Sequence, residues 1–401
     1  MINADEALRL ILDATPTLGK EKVLLLNSLG RTMAADLVAN ESLPPFDNSS
    51  MDGYAIISSD VSRASPGRPC ELEVIGESRA GKVFASSVGS GQAVRVMTGG
   101  KMPLGADTVV PVESVNLQNK ARIILVHPLP AGKHVRRVGE DIMRQEVVAR
   151  AGDLIEPALM GVLAALGHTK VLVFKKPRVN ILATGDELVK VNERPLKGQI
   201  RNSNSVALAG YVHQSGGEPH LLGIVPDREN LIRKAIEKSP RAHILLISGG
   251  VSVGDYDLVE GVLQQLGVKF VFQSVNIRPG KPIVFGRWGN MLVFGLPGNP
   301  VSTSVTFLQF VRPALRKMSG RRTTPPLRFP ALMEEEITKR DGKRYFVRGV
   351  ARQVGGKFHV RTTGSQNSGT MSSMVKANCL IIVPEVITSI RPGDQVEIEM
   401  L

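Results

Sequence analysis

The middle of the chain alternates between short apolar runs and segments with a helical pattern. The apolar runs are VLVF, RVNILAT, HLLGIV and HILLIS, followed by predicted strands at 282–285 and 291–294. Helices are predicted at about 203–214, after Asp227, at about 257–265 and at 300–318. Apolar strands that alternate with helices predict a parallel sheet covered on both faces, with ligands at the carboxyl ends of the strands.

A second pattern, short alternating strands without helical periodicity, lies on both sides of this region. Between residues 70 and 126 it comprises ELEVIG, KVFA, QAVRVMTGG, DTVVPVE and RIILV, and between 343 and 400 it comprises KRYFVRGV, KFHVRTT, NCLIIVP and QVEIEM. Turn residues separate these runs, which predicts two small β domains. Residues 321–330 (RRTTPPLRFP) predict a linker before the second one.

The N-terminal part predicts two helices and one unusual loop. Asn3 suits the N-cap of a helix at 4–13, and residues 157–166 predict an apolar helix that Gly167 ends. Between them, residues 44–56 (PPFDNSSMDGYAI) contain prolines, serines and a glycine that argue against regular structure. The same stretch is too apolar for a purely solvated loop, so we expect an ordered functional loop.

These patterns predict a multidomain chain of class α/β plus β. A central parallel α/β domain carries an all-β insertion-like module near the N-terminus and a small β domain at the C-terminus. The predicted domains are 1–43 with 133–170, 44–132, 171–322 and 326–401.

The composition of the chain limits which cellular compartment and which partners we expect for the protein. The chain has 401 residues and two cysteines, Cys70 and Cys379, too few for a disulfide framework or a cysteine metal site. The first residues include acidic side chains where a signal peptide needs basic ones, and no apolar run has the length of a membrane span. We therefore expect a cytoplasmic protein without a membrane partner.

The net charge of +13 is concentrated near the C-terminus, where residues 312–361 include 14 Lys and Arg against 4 Asp and Glu. Nucleic acid, a solvated basic face and an anionic small substrate are three interpretations. Aromatic residues make up 4% of the chain and no nucleic-acid motif is present, which disfavours nucleic acid. An anionic substrate agrees with the next motif.

Residues 243–257 (HILLISGGVSVGDYD) have the order strand, glycine-rich turn, helix. Glycines allow close approach of the backbone to a ligand, and the N-terminus of the following helix favours an anion such as phosphate. The residues proposed to hold phosphate are Ser248, Gly249, Gly250, Ser252 and Gly254. Acids just beyond the turn suit a divalent cation between themselves and the phosphates. A tight connection with a solvated acidic helix start is the alternative.

Two further loops complete the set of motifs: RPGKP at 278–282 and GLPGNPVS at 295–302. Together with PPFDNSSMDGYA, RVMTGG, GEDI, TGDEL and SGGVSVGDYD, they resemble the MoeA-type molybdenum-insertion family, which includes the E domain of gephyrin. The resemblance covers essentially the whole chain, in order. PPFDNSSMDGYA, PGKP and GLPGNPVS are its specific motifs.

The resemblance implies an elongated four-part subunit that forms a homodimer. It implies insertion of molybdenum from molybdate into adenylylated molybdopterin, with Mg²⁺ and release of AMP, and molybdopterin adenylyltransferase as the upstream partner. The implied catalytic residues are Asp52, Thr98, Asp141, Glu187, Asp227 and Asp257. Of these, Glu187, Asp227 and Asp257 are the implied Mg²⁺ ligands. Substrate binding beyond the glycine-rich turn is implied for Arg278, Lys281, Ser302, Arg348 and Ser368.

Three positions depart from the family pattern. Arg278 stands where Lys is common, Ala183 where Ser often occurs, and Asn202 where Asp is usual. The first keeps the charge, whereas the other two put in doubt a hydroxyl or carboxylate role at those positions.

Each implied site residue also has a structural interpretation. Asp52 can cap the turn at Gly53, Thr98 can be an ordinary turn hydroxyl, and Glu187 can cap a helix start. Arg278 and Lys281 can be solvated. Two alternative functions remain: a gephyrin-like interaction scaffold and a molybdopterin adenylyltransferase, a related family with a similar phosphate loop. The additional residues at about 44–150 and 326–401 argue against the adenylyltransferase.

Overall fold

The computed structural model describes residues 1–119, 121–250, 258–322 and 326–401. The chain divides into two compact units. The larger unit contains residues 1–34, 151–156 and 170–401, and the smaller unit contains residues 35–150 and 157–169. This division neither repeats nor tests the predicted four-domain boundaries, which stay a prediction.

The described helices fall close to the predicted positions, except for Ser372–Lys376, which the sequence did not predict. They are Ala4–Ala14 (α1), Pro157–Ala165 (α2), Asn204–Gln214 (α3), Glu229–Glu237 (α4), Leu258–Gln265 (α5), Pro300–Thr306 (α6), Arg312–Met318 (α7) and Ser372–Lys376 (α8). Asn3 caps α1 as predicted, because its Oδ1 accepts the Glu6 backbone N–H at 2.8 Å. The predicted helix at 300–318 is continuous but contains a π-helical segment, Phe307–Val311, between α6 and α7.

A mixed six-stranded sheet forms the centre of the larger unit. In spatial order its strands are Glu218–Val225, Arg178–Thr184, Ile244–Ser248, Met291–Leu296, Val284–Trp288 and Lys269–Phe272. The first four strands pair in parallel, as predicted. Val284–Trp288 runs antiparallel to both of its neighbours, so the sheet ends in an antiparallel edge.

Helices cover both faces of this sheet. Side chains such as Ile181 and Leu246 lie in one apolar core with α1, α3, α6 and α7. Their chain neighbours Leu182 and Ile247 point the other way, into a second core with α4 and α5. Strand side chains alternate between faces, so a strand that is apolar throughout needs apolar cover on both sides.

Two sequence predictions in the larger unit are wrong. The run VLVF belongs to the strand Lys170–Phe174, which pairs antiparallel with Lys20–Leu24 and not with the central sheet. Its residues alternate in burial, whereas residues 179–184 are all buried. Of the predicted linker at 321–330, residues 328–330 begin the strand Arg328–Met333.

This strand belongs to a C-terminal sheet whose order is Ile277–Arg278, Arg344–Val354, Lys357–Thr362, Arg328–Met333, Gln395–Met400 and Cys379–Val383. Arg344–Val354 also pairs with Cys379–Val383. The four strands predicted beyond residue 343 are confirmed. Shorter pairs in the larger unit are Leu188–Val189 with Ile200–Arg201 and Ile337–Thr338 with Ser389–Ile390.

The smaller unit contains the predicted β module. Its sheet has the order Thr108–Pro111, Gly53–Ile56, Gln92–Val96, Cys70–Ser78, Arg122–Leu125 and Asn116–Asn119. Shorter pairs are Leu37–Val38 with Val147–Ala149 and Asn48–Ser49 with Val135–Arg136.

Two predictions in the smaller unit are wrong. The predicted strand KVFA (82–85) is not a strand. The ring of Phe84 lies against Gly76, where an added Cβ would be 2.3 Å from the ring, so this run covers the sheet and does not extend it. Residues 44–56 also contain regular structure, because Asn48–Ser49 and Gly53–Ile56 are strands.

Candidate functional site

Four parallel strands of the central sheet end at one cavity of about 420 Å³. Its wall includes residues that follow these strand ends: Gly185 and Glu187, Asp227, Gly249 and Gly250, and Gly298. Ala183 and Ser248 are direct partners in the parallel ladder, which brings the two predicted loops together. The prediction that residues 184–187 and 248–250 lie on one sheet edge is confirmed.

The backbone after Ser248 is held against the neighbouring strand. Asn204 Nδ2 donates to Ser248 Oγ at 2.9 Å and to the Gly298 carbonyl at 2.8 Å. Gly249 has φ of +98°, and a Cβ there would lie 2.4 Å from the Thr184 carbonyl oxygen. Only glycine fits this close approach without strain. Ser252, Gly254 and Asp257 lie outside the described residues.

Three carboxylates gather beside this loop. The Asp227 backbone N–H donates to Asp186 Oδ1 at 3.2 Å. Burial raises the pKa of Asp227, and the negative charges of Asp186 and Glu187 raise it further. Mutual repulsion of this kind fits oxygen ligands for a divalent cation. Within the described ranges, no group of three or more acidic, His or Cys side chains has metal-binding geometry.

A second cavity, of about 860 Å³, adjoins the first, and Pro282 lines both. The five residues predicted to bind substrate beyond the glycine-rich turn all line it: Arg278, Lys281, Ser302, Arg348 and Ser368. They come from four separate segments of the chain. The Val301 backbone N–H donates to the Ser368 carbonyl at 3.1 Å, which joins the start of α6 to the loop that carries Ser368.

Arg348 is the buried cation of this second cavity, with 1% of its surface exposed. Its Nε donates to Ser373 Oγ at 3.1 Å, and its Nη2 donates to the Asn367 carbonyl at 3.2 Å. Burial lowers the pKa of Arg348 to about 10, so the side chain stays charged at neutral pH. None of these partners is anionic, which leaves its positive charge available to a ligand.

Arg278 and Lys281, two of the other cations of this cavity, are exposed. Arg278 Nη1 donates to Tyr345 Oη at 3.0 Å, and the guanidinium carbon lies 5.2 Å from the centre of the Tyr345 ring. Arg278 Nη1 is also 3.8 Å from Asp341 Oδ2. Lys281 is exposed and forms no ion pair with the part of the chain that the structure describes. The wall of the cavity therefore combines these cations and Lys343, which pairs with Asp341, with two carboxylates, Glu335 and Glu336.

Sequence reasoning missed two residues that support these cations. Tyr345 holds Arg278, and Gln366 holds the main chain of Arg348 by two hydrogen bonds. No motif marks Gln366, because its partner lies 18 residues away. For Tyr345, the only feature of the sequence that could have indicated a role is its position three residues before Arg348.

Asp52, Thr98 and Asp141 belong to the smaller unit. The Thr98 backbone N–H and hydroxyl both donate to Asp52 Oδ1 at 2.7 Å. These two hydrogen bonds lower the pKa of Asp52. The predicted Asp52 and Thr98 thus contact each other, and the alternative of Asp52 as a cap for the turn at Gly53 remains open.

Asp141 lies elsewhere in the smaller unit, in the wall of a cavity of about 550 Å³ that Asn48 and Arg136 also line. Its backbone N–H donates to the Leu43 carbonyl at 3.0 Å. The Oδ1 atom of Asn48 is buried without a hydrogen-bond partner among the residues described.

Asn202, the departure from an Asp, has a local role. It is buried, its Oδ1 accepts the Ser205 backbone N–H at 3.1 Å, and its Nδ2 donates to Ser205 Oγ at 2.9 Å. An amide can therefore secure the start of α3 without a carboxylate. Ala183, the other departure, is buried in its strand.

The chain matches three family models along its length. They are the MoeA N-terminal region (domain I and II) at residues 2–167, a probable molybdopterin binding domain at 180–317, and the MoeA C-terminal region (domain IV) at 330–401. None of the described helices combines the length and apolar character needed to cross a membrane.

Individual proteins agree with these models. A molybdopterin molybdenumtransferase of Haemophilus influenzae is 35% identical and covers 100% of this chain and 98% of its own length. One from Nostoc sp. is 37% identical, covering 92% of this chain and 85% of its own. The crystal structure of a molybdopterin biosynthesis moeA protein from Pyrococcus horikoshii is similar with a TM-score of 0.85, 34% identity and full coverage of both chains.

Proposed function

The chain belongs to the MoeA family of molybdopterin molybdenumtransferases, and we propose that it inserts molybdenum from molybdate into adenylylated molybdopterin, with Mg²⁺-dependent release of AMP. It is a transferase of molybdenum cofactor biosynthesis, with molybdopterin as substrate. One observation carries the proposal for the finer chemistry. A cavity with carboxylates and a glycine-rich turn adjoins a cavity lined by four cations, Arg278, Lys281, Lys343 and Arg348, and by the carboxylates Glu335 and Glu336.

We assign the phosphate groups of the adenylylated substrate to the strand-end cavity. Ser248 and Gly249 form its wall, and the close approach at Gly249 lets main-chain atoms face a ligand. The buried Thr184 Oγ1, which has no hydrogen-bond partner in the described ranges, adds a hydroxyl to the same loop. Cleavage of a phosphate linkage depends mainly on positioning and charge stabilisation, and these residues supply both.

Glu187 and Asp227 would hold Mg²⁺, with Asp257 as the further ligand implied by the family resemblance. A bound Mg²⁺ would supply charge neutralisation at the phosphate oxygens. The raised pKa of Asp227 supports this assignment, since a cation would relieve its repulsion from Asp186 and Glu187.

We assign molybdate to the second cavity. Molybdate is a tetrahedral dianion, and Arg348, Arg278 and Lys281 line a space that can take it. The guanidinium of Arg348 is already oriented by Ser373 and Asn367, so little side-chain entropy is lost when it binds an oxyanion. Ser302 and Ser368 add hydroxyls to the same wall. No protein thiolate is needed, because the dithiolene sulfurs of molybdopterin ligate the metal.

Several further features remain part of the proposal. We propose a cytoplasmic homodimer, supplied with substrate by a molybdopterin adenylyltransferase. Asp52, Thr98 and Asp141, from the smaller unit, are proposed as additional catalytic residues. We further propose that neither a membrane nor nucleic acid is a partner.

The test is to mix the protein with adenylylated molybdopterin and Mg²⁺, with and without molybdate, and to measure AMP. We expect AMP release that depends on molybdate. An interaction scaffold would release none. A molybdopterin adenylyltransferase would adenylylate molybdopterin from ATP in the absence of molybdate, and either outcome would overturn the proposal.

A further inference from the structure

A third cavity, of about 1040 Å³, lies in the larger unit and shares no described lining residue with the two cavities of the candidate site. Four arginines contribute to its wall: Arg312, Arg316, Arg321 and Arg322. The first two lie on α7, and the other two follow the end of that helix. Asp153 and Glu156 are the acidic side chains in the same wall.

Two of these arginines have acidic partners. Arg312 Nη2 donates to Glu399 Oε1 at 2.7 Å, and Glu399 is fully buried. Arg322 Nη1 lies 3.7 Å from Asp153 Oδ1. Glu399 and Asp153 therefore already have positive partners, whereas Glu156 is exposed and forms no ion pair with the described residues.

Arg316 and Arg321 are the remaining two. Both are half-buried, and the Nε atom of each is fully buried without a hydrogen-bond partner. No ion pair joins either guanidinium to the residues that the structure describes. Burial lowers the pKa of both side chains, the positive charges of Arg312 and Arg321 lower the pKa of Arg316 further, and the negative charge of Glu399 raises it in part.

An arginine stays charged in a protein, so the cavity holds two positive charges that are partly removed from water and form no direct ion pair with the described residues. Such charges destabilise a fold unless an anion is bound near them. A phosphomonoester carries between one and two negative charges at neutral pH and offers three acceptor oxygens. It matches both the charge and the hydrogen-bonding capacity of two guanidinium groups.

The rest of the wall is largely apolar. Leu308, Leu327, Met374 and Met400 line the cavity, together with Tyr211, whose ring stacks on Phe307 at 5.4 Å between centroids. An inorganic anion would leave this surface in contact with water. An organic anion would cover it, which is favourable in proportion to the apolar area removed from water.

We propose that this cavity is a second small-molecule site, which binds a phosphomonoester with an aromatic or apolar body. The phosphate lies between Arg316 and Arg321, and the body lies against Tyr211 and Met374. The inference does not depend on the proposed reaction, because the cavity has its own wall and its own charges.

Phenyl phosphate is a suitable probe, with inorganic phosphate as the comparison. In calorimetric titrations of the full-length protein, we expect phenyl phosphate to bind at least about tenfold more tightly than phosphate. Arg316→Gln/Arg321→Gln is expected to weaken phenyl phosphate binding by at least about tenfold. Arg194→Gln/Arg241→Gln removes the same charge from exposed positions and is expected to bind the probe as the wild type does.

Two further measurements separate this site from the candidate functional site and from a folding defect. Lys281→Gln/Arg348→Gln is expected to keep full phenyl phosphate binding. Without ligand, Arg316→Gln/Arg321→Gln is expected to melt at a higher temperature than the wild type, because two unpaired charges are removed. Phenyl phosphate is then expected to raise the wild-type melting temperature and leave that of the variant unchanged.

The proposal is overturned if the wild type does not bind phenyl phosphate at millimolar concentrations, or if Arg316→Gln/Arg321→Gln binds it equally well. Loss of binding in Lys281→Gln/Arg348→Gln alone would assign the probe to the other cavity. Equal affinity for phosphate and phenyl phosphate would refute the apolar part of the site. The single variants Arg316→Gln and Arg321→Gln repeat the test with smaller changes, so a misfolded double variant does not decide the outcome.

Discussion

Gln366 holds Arg348 at both main-chain groups: its Oε1 accepts the Arg348 N–H at 2.9 Å, and its Nε2 donates to the Arg348 carbonyl at 3.2 Å. The buried guanidinium beside this clamp lines the cavity proposed for molybdate. The side-chain amide of Gln366 therefore fixes the main chain of the strand residue whose guanidinium lines the cavity.

Replacing Arg348 by Lys tests the proposed oxyanion site. The charge is kept, but a flexible ammonium cannot reproduce the guanidinium fork that Ser373 and Asn367 orient. We expect the molybdate concentration for half-maximal AMP release to rise by about tenfold or more, which corresponds to about 1.4 kcal/mol or more.

Arg352→Lys, on the same strand but exposed, provides the control and is expected to behave as the wild type. Substrate binding without molybdate should change little in Arg348→Lys. An unaltered molybdate dependence, together with tight, salt-sensitive binding of duplex DNA, would mean that this basic region is a general polyanion-binding surface.

Gln366→Ala tests the clamp itself. Removal of both hydrogen bonds is expected to cost about 1 to 3 kcal/mol of unfolding free energy and to raise the molybdate requirement, with Arg348 still present. The measurement is urea denaturation alongside molybdate titration of AMP release. A variant that loses stability but keeps the wild-type molybdate dependence would limit Gln366 to a structural role.

Asp227→Asn tests the cluster of acids through pH. The folded-state pKa of Asp227 is raised above its ordinary value of 3.8, so the folded state binds this proton more tightly than the unfolded chain. The associated stability is therefore present below pH 3.8 and lost as pH rises through the raised pKa. We expect Asp227→Asn to raise the melting temperature at pH 7 more than at pH 3.5.

The same variant is expected to abolish the stabilisation of the wild type by MgCl₂ and to reduce Mg²⁺-dependent AMP release. Glu218→Gln removes a carboxylate at the opposite end of the strand that leads to Asp227, and it should show neither effect. Equal Mg²⁺ responses in all three proteins would refute the cation assignment.

Gly249→Ala tests the close approach of the glycine-rich turn to the neighbouring strand. Its positive φ and a Cβ only 2.4 Å from the Thr184 carbonyl oxygen predict a loss of about 2 to 4 kcal/mol in unfolding free energy. Gly267→Ala is the matched control, because Gly267 has φ of +83° with nothing within 4 Å.

Gly267→Ala is expected to lose only about 1 kcal/mol, since it has the backbone strain without the contact. The two values come from urea denaturation of the purified variants. Equal losses would mean that the turn moves away from Thr184 at little cost and is not held rigidly for a ligand.

Mixed dimers test the proposed contribution of the smaller unit. If the loop that carries Asp52 completes the site of the partner subunit, an Asp52→Ala chain and a Glu187→Gln chain would each be inactive as a homodimer. Their heterodimer would contain one intact site and one altered site. It would therefore regain up to about half of the AMP release of the wild-type dimer. No recovery in verified heterodimers would mean that both residues act within one subunit.

Local pattern was sufficient for much of the fold. RVNILAT and HILLIS became adjacent parallel strands, and the loops after them met at one edge, as predicted. The reason is physical: parallel strands covered by helices must be apolar throughout, and their carboxyl ends lie on the same side of the sheet. The family motifs likewise identified Arg278, Lys281, Ser302, Arg348 and Ser368, which now line one cavity.

Only the tertiary structure decided features that depend on partners far apart in sequence. The composition of Lys170–Phe174 is typical of a strand in the central sheet. In the structure it pairs instead with Lys20–Leu24, outside that sheet. The burial of Arg348 and its clamp by Gln366 depend on how the C-terminal sheet closes, and the unpaired Arg316 and Arg321 are recognisable only once their surroundings are known. Sequence periodicity reports which side of an element is apolar. It does not report which distant surface covers that side, because this depends on how segments far apart in sequence pack together.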